Sequence, residues 1–285
     1  VVLCESPSYL GALNAFNAYQ PKFVEVPTDN GGLIPEELDK ILETTPNCKF
    51  IYVIPDFQNP TGRTWSMERR QKFMEVVNKH NLPVLEDNPY GELRYEGTIL
   101  PSLKSMDTKG LVMFLGTFSK IFCPGLRLGW IAAEHSLLSE FVKIKQSADL
   151  HTSNFDQGVA DAYMEQYDLD EHVKEIVALY KHRRDLILES MEKYFPAGTE
   201  WTHPEGGLFL WLTFPEGVSA RKVFNKCIEM KVAGVIGDAF YPNQKTDRSM
   251  RINYSNMPDD RIVEGIQRMA KACLLYTSDA ADDRI

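Results

Sequence analysis

Apolar positions along the chain fall into two rhythms. Short runs that read as strands sit at Val1-Val2-Leu3, Phe50-Ile51-Tyr52-Val53-Ile54, Pro83-Val84-Leu85-Glu86-Asp87 (apolar up to its two closing carboxylates), Leu111-Val112-Met113-Phe114-Leu115 and Leu128-Gly129-Trp130-Ile131-Ala132. Runs of this length, rich in β-branched and aromatic residues, predict strands covered on both faces. Between the second and third, the period lengthens to that of a helix over 66–80. Ser66 can cap it, Glu68 suits its first turn, Phe73, Val76 and Val77 form its apolar face, and Asn81-Leu82-Pro83 stops it. Strand, helix, strand in this order predicts right-handed crossovers and a mostly parallel sheet.

The second half changes character. A long helix is predicted over 171–194, with Val173, Ile176, Val177, Tyr180, Ile187 and Met191 facing inward. A strand follows Gly206-Gly207, then a helix over 219–230, a short strand at 250–254 and a last helical pattern carrying Ile262, Ile266 and Met269. The expected architecture is α/β: a large domain over 1–168, and a linking helix with a smaller α+β domain over 169–273. The helical pattern loses its logic near Cys273. Residues 276–283 resemble translated adapter sequence, a natural frayed tail being the alternative reading, and 274–285 are set apart as a tail. The chain also opens inside a strand without an initiator methionine, so an amino-terminal segment is expected to be missing.

Composition narrows the classes. Of 285 residues, 25% are charged, and the net charge of −9 argues against a general basic surface for nucleic acid. Cys4, Cys48, Cys123, Cys227 and Cys273 are odd in number and form no CxxC or Cys/His cluster, which fits free thiols in a reducing cytoplasm. The histidines show no metal-ligand spacing. No apolar run has the length of a membrane span, and no signal peptide is visible.

Polar residues of chemical interest follow the predicted strands, where open parallel sheets bind ligands. Asn59-Pro60-Thr61-Gly62 comes after the strand at 50–54, Asp87-Asn88-Pro89-Tyr90 closes the next, and Gly116-Thr117-Phe118-Ser119-Lys120 follows the third. Arg127, in Pro124-Gly125-Leu126-Arg127, offers a fork of donors suited to a phosphate. Each has a plainer reading alone. Lys120 is then a solvated lysine, Asp87 a cap, and the Asn59 segment a turn. Tyr9, in Ser6-Pro7-Ser8-Tyr9, is then a core or interface aromatic, Arg251 a solvated strand residue, and Gly206-Gly207 a site of close packing.

Together these segments resemble the cofactor site of the fold-type I, class I/II aminotransferases, in particular bacterial enzymes acting on 2-aminoadipate and aromatic amino acids. The match runs over nearly all of residues 1–271. The resemblance implies pyridoxal 5'-phosphate held as a Schiff base on Lys120, the catalytic residue, with Asp87 on the pyridine nitrogen. It places Tyr90 and Asn59 on the phenolic oxygen, Tyr9 against the ring, and Thr117, Ser119 and Arg127 at the phosphate. Arg251 and Asn59 would hold the substrate carboxylate. The implied reaction moves an amino group from an L-amino acid to a 2-oxo acid such as 2-oxoglutarate, by ping-pong kinetics in a homodimer. Family members also carry an amino-terminal phosphate loop, a lid and a tyrosine donated across the dimer, none of which maps here. Thr117 stands where serine is common. Two other functions share the fold: a lyase, and the effector domain of a transcription regulator with an amino-terminal DNA-binding helix. A non-catalytic scaffold would not retain this set of residues. The acidic balance and Arg251 favour the enzyme.

Overall fold

The computed structural model of the protein describes residues 1–243 and 246–282, with side chains as far as Tyr276. From the amino terminus come β1 (Val2–Glu5), α1 (Leu10–Asn17), β2 (Phe23–Val26), a small hairpin of β3 (Thr28–Asp29) and β4 (Gly32–Leu33), and α2 (Pro35–Thr44). Then follow β5 (Phe50–Val53), α3 (Met67–His80), β6 (Val84–Asp87), β7 (Val112–Thr117) and β8 (Gly129–Ala132). Six of these strands form one sheet in the order β2-β1-β5-β6-β7-β8. All its pairings are parallel except β7 with β8. The strand rhythm alone did not predict that reversal. Its cause is the connection over 118–128, which holds only a 3-10 turn at Pro124–Leu126 and is too short for a helical crossover.

The predicted helix over 66–80 is α3. Ser66 caps it by accepting from the Arg69 N–H at 3.2 Å, and Asn81 ends it in the left-handed conformation. Phe73, Met74 and Val77 face Leu3, Ile51, Val53 and Val84 of the sheet in one buried cluster. Each such fully buried apolar side chain contributes roughly 1.5–3 kcal/mol. A second hold is ionic. Arg70, wholly buried, donates to Asp56 at 2.6 Å and to the Pro101 carbonyl at 3.0 Å. This ties the helix to the loops on both sides.

Two helices that the sequence pattern did not announce follow β8: α4 (His135–Ala148) and α5 (Asn154–Gln166). Phe141, Val142, Ile144, Phe155 and Met164 on them are exposed. The long helix α6 (Leu169–Tyr194) starts two residues earlier than predicted because Asp168 accepts from the Asp170 and Glu171 N–H groups. Its first half packs Ile176, Val177 and Tyr180 against Phe57, Tyr90, Leu93 and Phe209. Its second half buries Ile187 and Met191 in a different cluster with Leu210, Leu212, Val223, Ile252 and Ile266. One helix therefore serves two cores.

The second core lies under an antiparallel sheet built from β9 (Glu200–Trp201), β10 (Phe209–Thr213), β11 (Val235–Ile236) and β12 (Ser249–Asn253), in the order β11-β12-β10-β9. It is closed by α7 (Ala220–Glu229) and α8 (Asp259–Asp282). The last helix does not stop near Cys273, where its periodicity was expected to fail. Ala272 and Cys273 are buried and Tyr276 packs against the same core, which extends the inner face by a turn. Residues 283–285 of the expected tail lie outside the described residues. Among the described residues, no helix is long and apolar enough to cross a membrane.

Candidate active site

Chain order in the large sheet runs outward in two directions, β1 to β2 one way and β5 to β6 to β7 the other. The reversal leaves a crevice beyond the carboxyl ends of β1 and β5, the usual place for a ligand in such a sheet. Tyr9 follows β1, Asn59 follows β5, Asp87 ends β6, and Thr117, Ser119 and Lys120 lie at or after the end of β7. Arg251 comes from the other sheet. Alternation along β12 sends Met250 and Ile252 into the second core and turns Arg251 the other way. All nine residues singled out in the sequence line one cavity of about 410 Å³, together with Ile54, Pro89, Pro124 and Phe209.

Two glycines let the loops meet. A Cβ on Gly62, at φ +71°, would lie 2.4 Å from the Phe209 carbonyl oxygen. A Cβ on Gly206 would lie 2.4 Å from the Leu93 oxygen, where residues 94 and 206 form an antiparallel bridge. The close-packing reading of Gly206-Gly207 is the one the structure displays.

Hydrogen bonds connect the candidates. Arg251 donates from Nη1 to Asn59 Oδ1 at 2.8 Å, and Asn59 Nδ2 donates to the Tyr90 hydroxyl at 3.4 Å. Tyr90 accepts there, which leaves its own proton for a ligand. The Arg251 guanidinium lies over the rings of Phe209 and Phe240, 4.2 and 5.1 Å from their centroids. Arg127, in a left-handed conformation, donates to the Pro124 carbonyl at 2.9 Å and to Ser119 Oγ at 3.4 Å. Thr117 differs from expectation. Its hydroxyl donates to the Leu128 carbonyl at 3.1 Å and accepts from the Ser119 N–H, so it must leave Leu128 before it can donate to a phosphate.

The electrostatics follow from burial. Partial burial, then the cations Arg127 and Arg251, hold the Lys120 ammonium below the ordinary lysine range. Burial raises the Asp87 carboxyl, opposed by a hydrogen bond from Tyr52, whose hydroxyl donates to Asp87 Oδ2 at 2.6 Å. Burial likewise raises the Tyr90 phenol. Tyr52 is not among the residues that the sequence motifs single out. The available signal was a hydroxyl in an otherwise apolar run, since a buried tyrosine needs a partner for its O–H.

A larger cleft of about 540 Å³ is lined by Gly62, Arg63 and Thr64 of the same loop, but by none of the nine candidates.

Known proteins bear on this cavity. The family model described as aminotransferase class I and II matches residues 1–269. Aromatic-amino-acid aminotransferase 1 of Thermococcus litoralis is 42% identical over 275 residues, which is 95% of this chain and 66% of that protein. The crystal structure of a Pyrococcus horikoshii kynurenine aminotransferase in complex with PMP superposes with a TM-score of 0.93 at 40% identity, covering 96% of this chain and 69% of the other. An uncharacterized HTH-type transcriptional regulator of Bacillus subtilis is 30% identical over 271 residues, 95% of this chain and 55% of its own. The chain thus spans about two thirds or less of the length of these curated relatives.

Proposed function

The chain belongs to the class I and II aminotransferase family, and from this premise we propose that it is a transaminase using pyridoxal 5'-phosphate. The observation that carries the proposal is the convergence of Lys120, Asp87, Asn59, Tyr90 and Arg251 on one cavity. The donor set fits the cofactor. Lys120 offers an amine whose proton is loosened by burial and neighbouring cations, and Asp87 keeps Oδ1 open for a ring nitrogen. Tyr90 has a hydroxyl to donate to a phenolic oxygen, and Arg127 with Ser119 offers donors to a phosphate. Tyr9 supplies a flat wall. When bound, the cofactor supplies an aldehyde that condenses with amines and a protonated ring that draws electrons from the substrate Cα.

The protein residues divide the remaining work. Arg251 holds the substrate carboxylate, with Asn59 beside it, and so fixes the Cα–H bond relative to Lys120. The Lys120 amine, free once the substrate amine has taken its place, would remove the Cα proton as general base and then, as general acid, give it up to the cofactor carbon that takes the amino group. The amino group passes to a 2-oxo acid, such as 2-oxoglutarate, in a second half-reaction of the ping-pong type. We place the protein in the cytoplasm as a homodimer, with residues 1–168 as cofactor domain and 169–273 as linking helix and small domain.

Reduction of the cofactor-loaded protein with borohydride tests the anchor. A pyridoxyl adduct on Lys120 is expected, and its absence there removes the proposal. Similarity to a regulator across the same residues favours a second reading, an effector domain that binds the cofactor without turnover. One equivalent of 2-oxo acid released from an amino acid without acceptor, and continuous turnover once acceptor is added, identifies the enzyme. Ligand binding with no oxo acid identifies the regulator.

A further inference from the structure

Tyr52 lies in the middle of β5 and is 1% exposed. Its ring is fixed edge-on against Phe16, with centroids 5.5 Å apart. In the β5–β6 register it pairs with Leu85, so Asp87, two residues on, projects from the same face of the sheet. The Tyr52 hydroxyl donates to Asp87 Oδ2 at 2.6 Å. Tyr9, Tyr90, Lys120, Arg127 and Arg251 also line the cavity, but no hydrogen bond joins any of them to the Asp87 carboxylate.

We propose that Tyr52 is the positioning residue for Asp87: its O–H occupies Oδ2, fixes the carboxylate plane, and leaves Oδ1 as a charged acceptor for the cofactor ring nitrogen. This rests on the pyridoxal-phosphate reading above. A phenol is a far weaker acid than a carboxyl group, and burial pushes Tyr52 further up, so the shared proton stays on tyrosine. Asp87 then remains an anion in surroundings that would otherwise favour its acid form. Without the donor, a partly buried carboxylate has an unpaired oxygen, takes up a proton more readily and holds the ring N–H less well.

The test is a double-mutant cycle on cofactor affinity in the holoprotein, with wild type, Tyr52→Phe, Asp87→Asn and the double variant. Phenylalanine keeps the ring against Phe16. Tyr52→Phe is expected to weaken pyridoxal-phosphate binding about tenfold or more, but to have no further effect when Asp87 is already asparagine. With the cofactor ring nitrogen labelled with ¹⁵N, its resonance should move toward the deprotonated position in Tyr52→Phe. Equal loss in both backgrounds with an unmoved ¹⁵N signal would show that Tyr52 only supports the fold, and overturn the inference. If Tyr52→Phe does not fold, as judged by thermal unfolding of the cofactor-free form, the wild-type holoprotein decides. The short Tyr52–Asp87 bond should give a downfield proton resonance that vanishes in Asp87→Asn, and a spectrum identical in the two overturns the inference. Wild-type protein that neither binds the cofactor nor forms the Lys120 adduct refutes the functional reading itself. Normal wild-type binding with an unaffected Tyr52→Phe refutes only the role of Tyr52.

Discussion

Replacing Arg251 with lysine keeps a positive charge on β12 and removes the planar fork. One guanidinium nitrogen is already committed to Asn59 at 2.8 Å, and the plane is held over Phe209 and Phe240. Lysine, a point charge on a flexible stem, cannot satisfy Asn59 and grip both oxygens of a carboxylate in a fixed plane. The loss is one charge-assisted hydrogen bond, about 1.5–3 kcal/mol, plus stacking worth roughly 0.5–1 kcal/mol. A total near 2–4 kcal/mol lowers kcat/KM for amino acids roughly thirty- to a thousandfold. The assay is the first half-reaction, followed by cofactor absorbance, with an amino acid and with the matching primary amine that lacks the carboxylate. The variant should lose rate with the amino acid and keep it with the amine. Cofactor affinity should not change, and neither should the charge felt by Lys120. Equal losses with both donors, or none with either, would refute Arg251 as the carboxylate anchor.

Three further outcomes are expected. Gly62→Ala should destabilise the fold by more than about 2 kcal/mol, because left-handed backbone costs roughly 1–2 kcal/mol and the new methyl meets the Phe209 carbonyl; thermal unfolding checks this, and an unchanged Tm counts against the packing described. Burial raises the Glu5 carboxyl to about 7. The folded state therefore holds a proton that the unfolded chain has released, and stability should fall as pH rises from about 4.5 through about 7. Urea melts across that window should show a shallower slope for Glu5→Gln, part of the residual slope coming from Glu86, which burial also raises to about 7. Arg70→Met strips Asp56 of its 2.6 Å partner inside the core and should cost about 3–5 kcal/mol. A loss below about 1 kcal/mol in a urea melt would mean that Arg94, 3.5 Å from the same oxygen, suffices.

Five of the six strands of the large sheet were readable because they fall on short apolar runs, and α3 because it carries both a cap and a stop signal; β2, where Glu25 interrupts the run, was not. The candidate site was readable because Asn59, Asp87 and Lys120 each follow such a run, so one topological rule places them on one rim. Other features were not. The reversal of β8 depends on the length of a connection, which periodicity does not encode. Helix α4 sets Phe141, Val142 and Ile144 outward and α5 sets Phe155, Val159 and Met164 outward, so neither shows a well-buried stripe. The Tyr52–Asp87 bond needs the register between two strands, which neither run specifies alone. Thr117 shows the converse: a hydroxyl correctly placed near the site has its donor turned to a backbone carbonyl.

Strand β8 ends the large sheet, and Trp130 on it is 49% exposed, against 0% for Trp65 and 5% for Trp211. Its indole lies 5.2 Å from Phe114 on one side and faces water on the other. Among the described residues β8 is the last strand of the main sheet, and Trp130 is an optical reporter at that margin. A water-facing indole emits at longer wavelength and is open to a soluble quencher, while the enclosed ones are shielded. Whatever comes to lie along that margin will shift the emission to the blue and slow the quenching, so coverage of β8 can be followed by light alone, with no label attached.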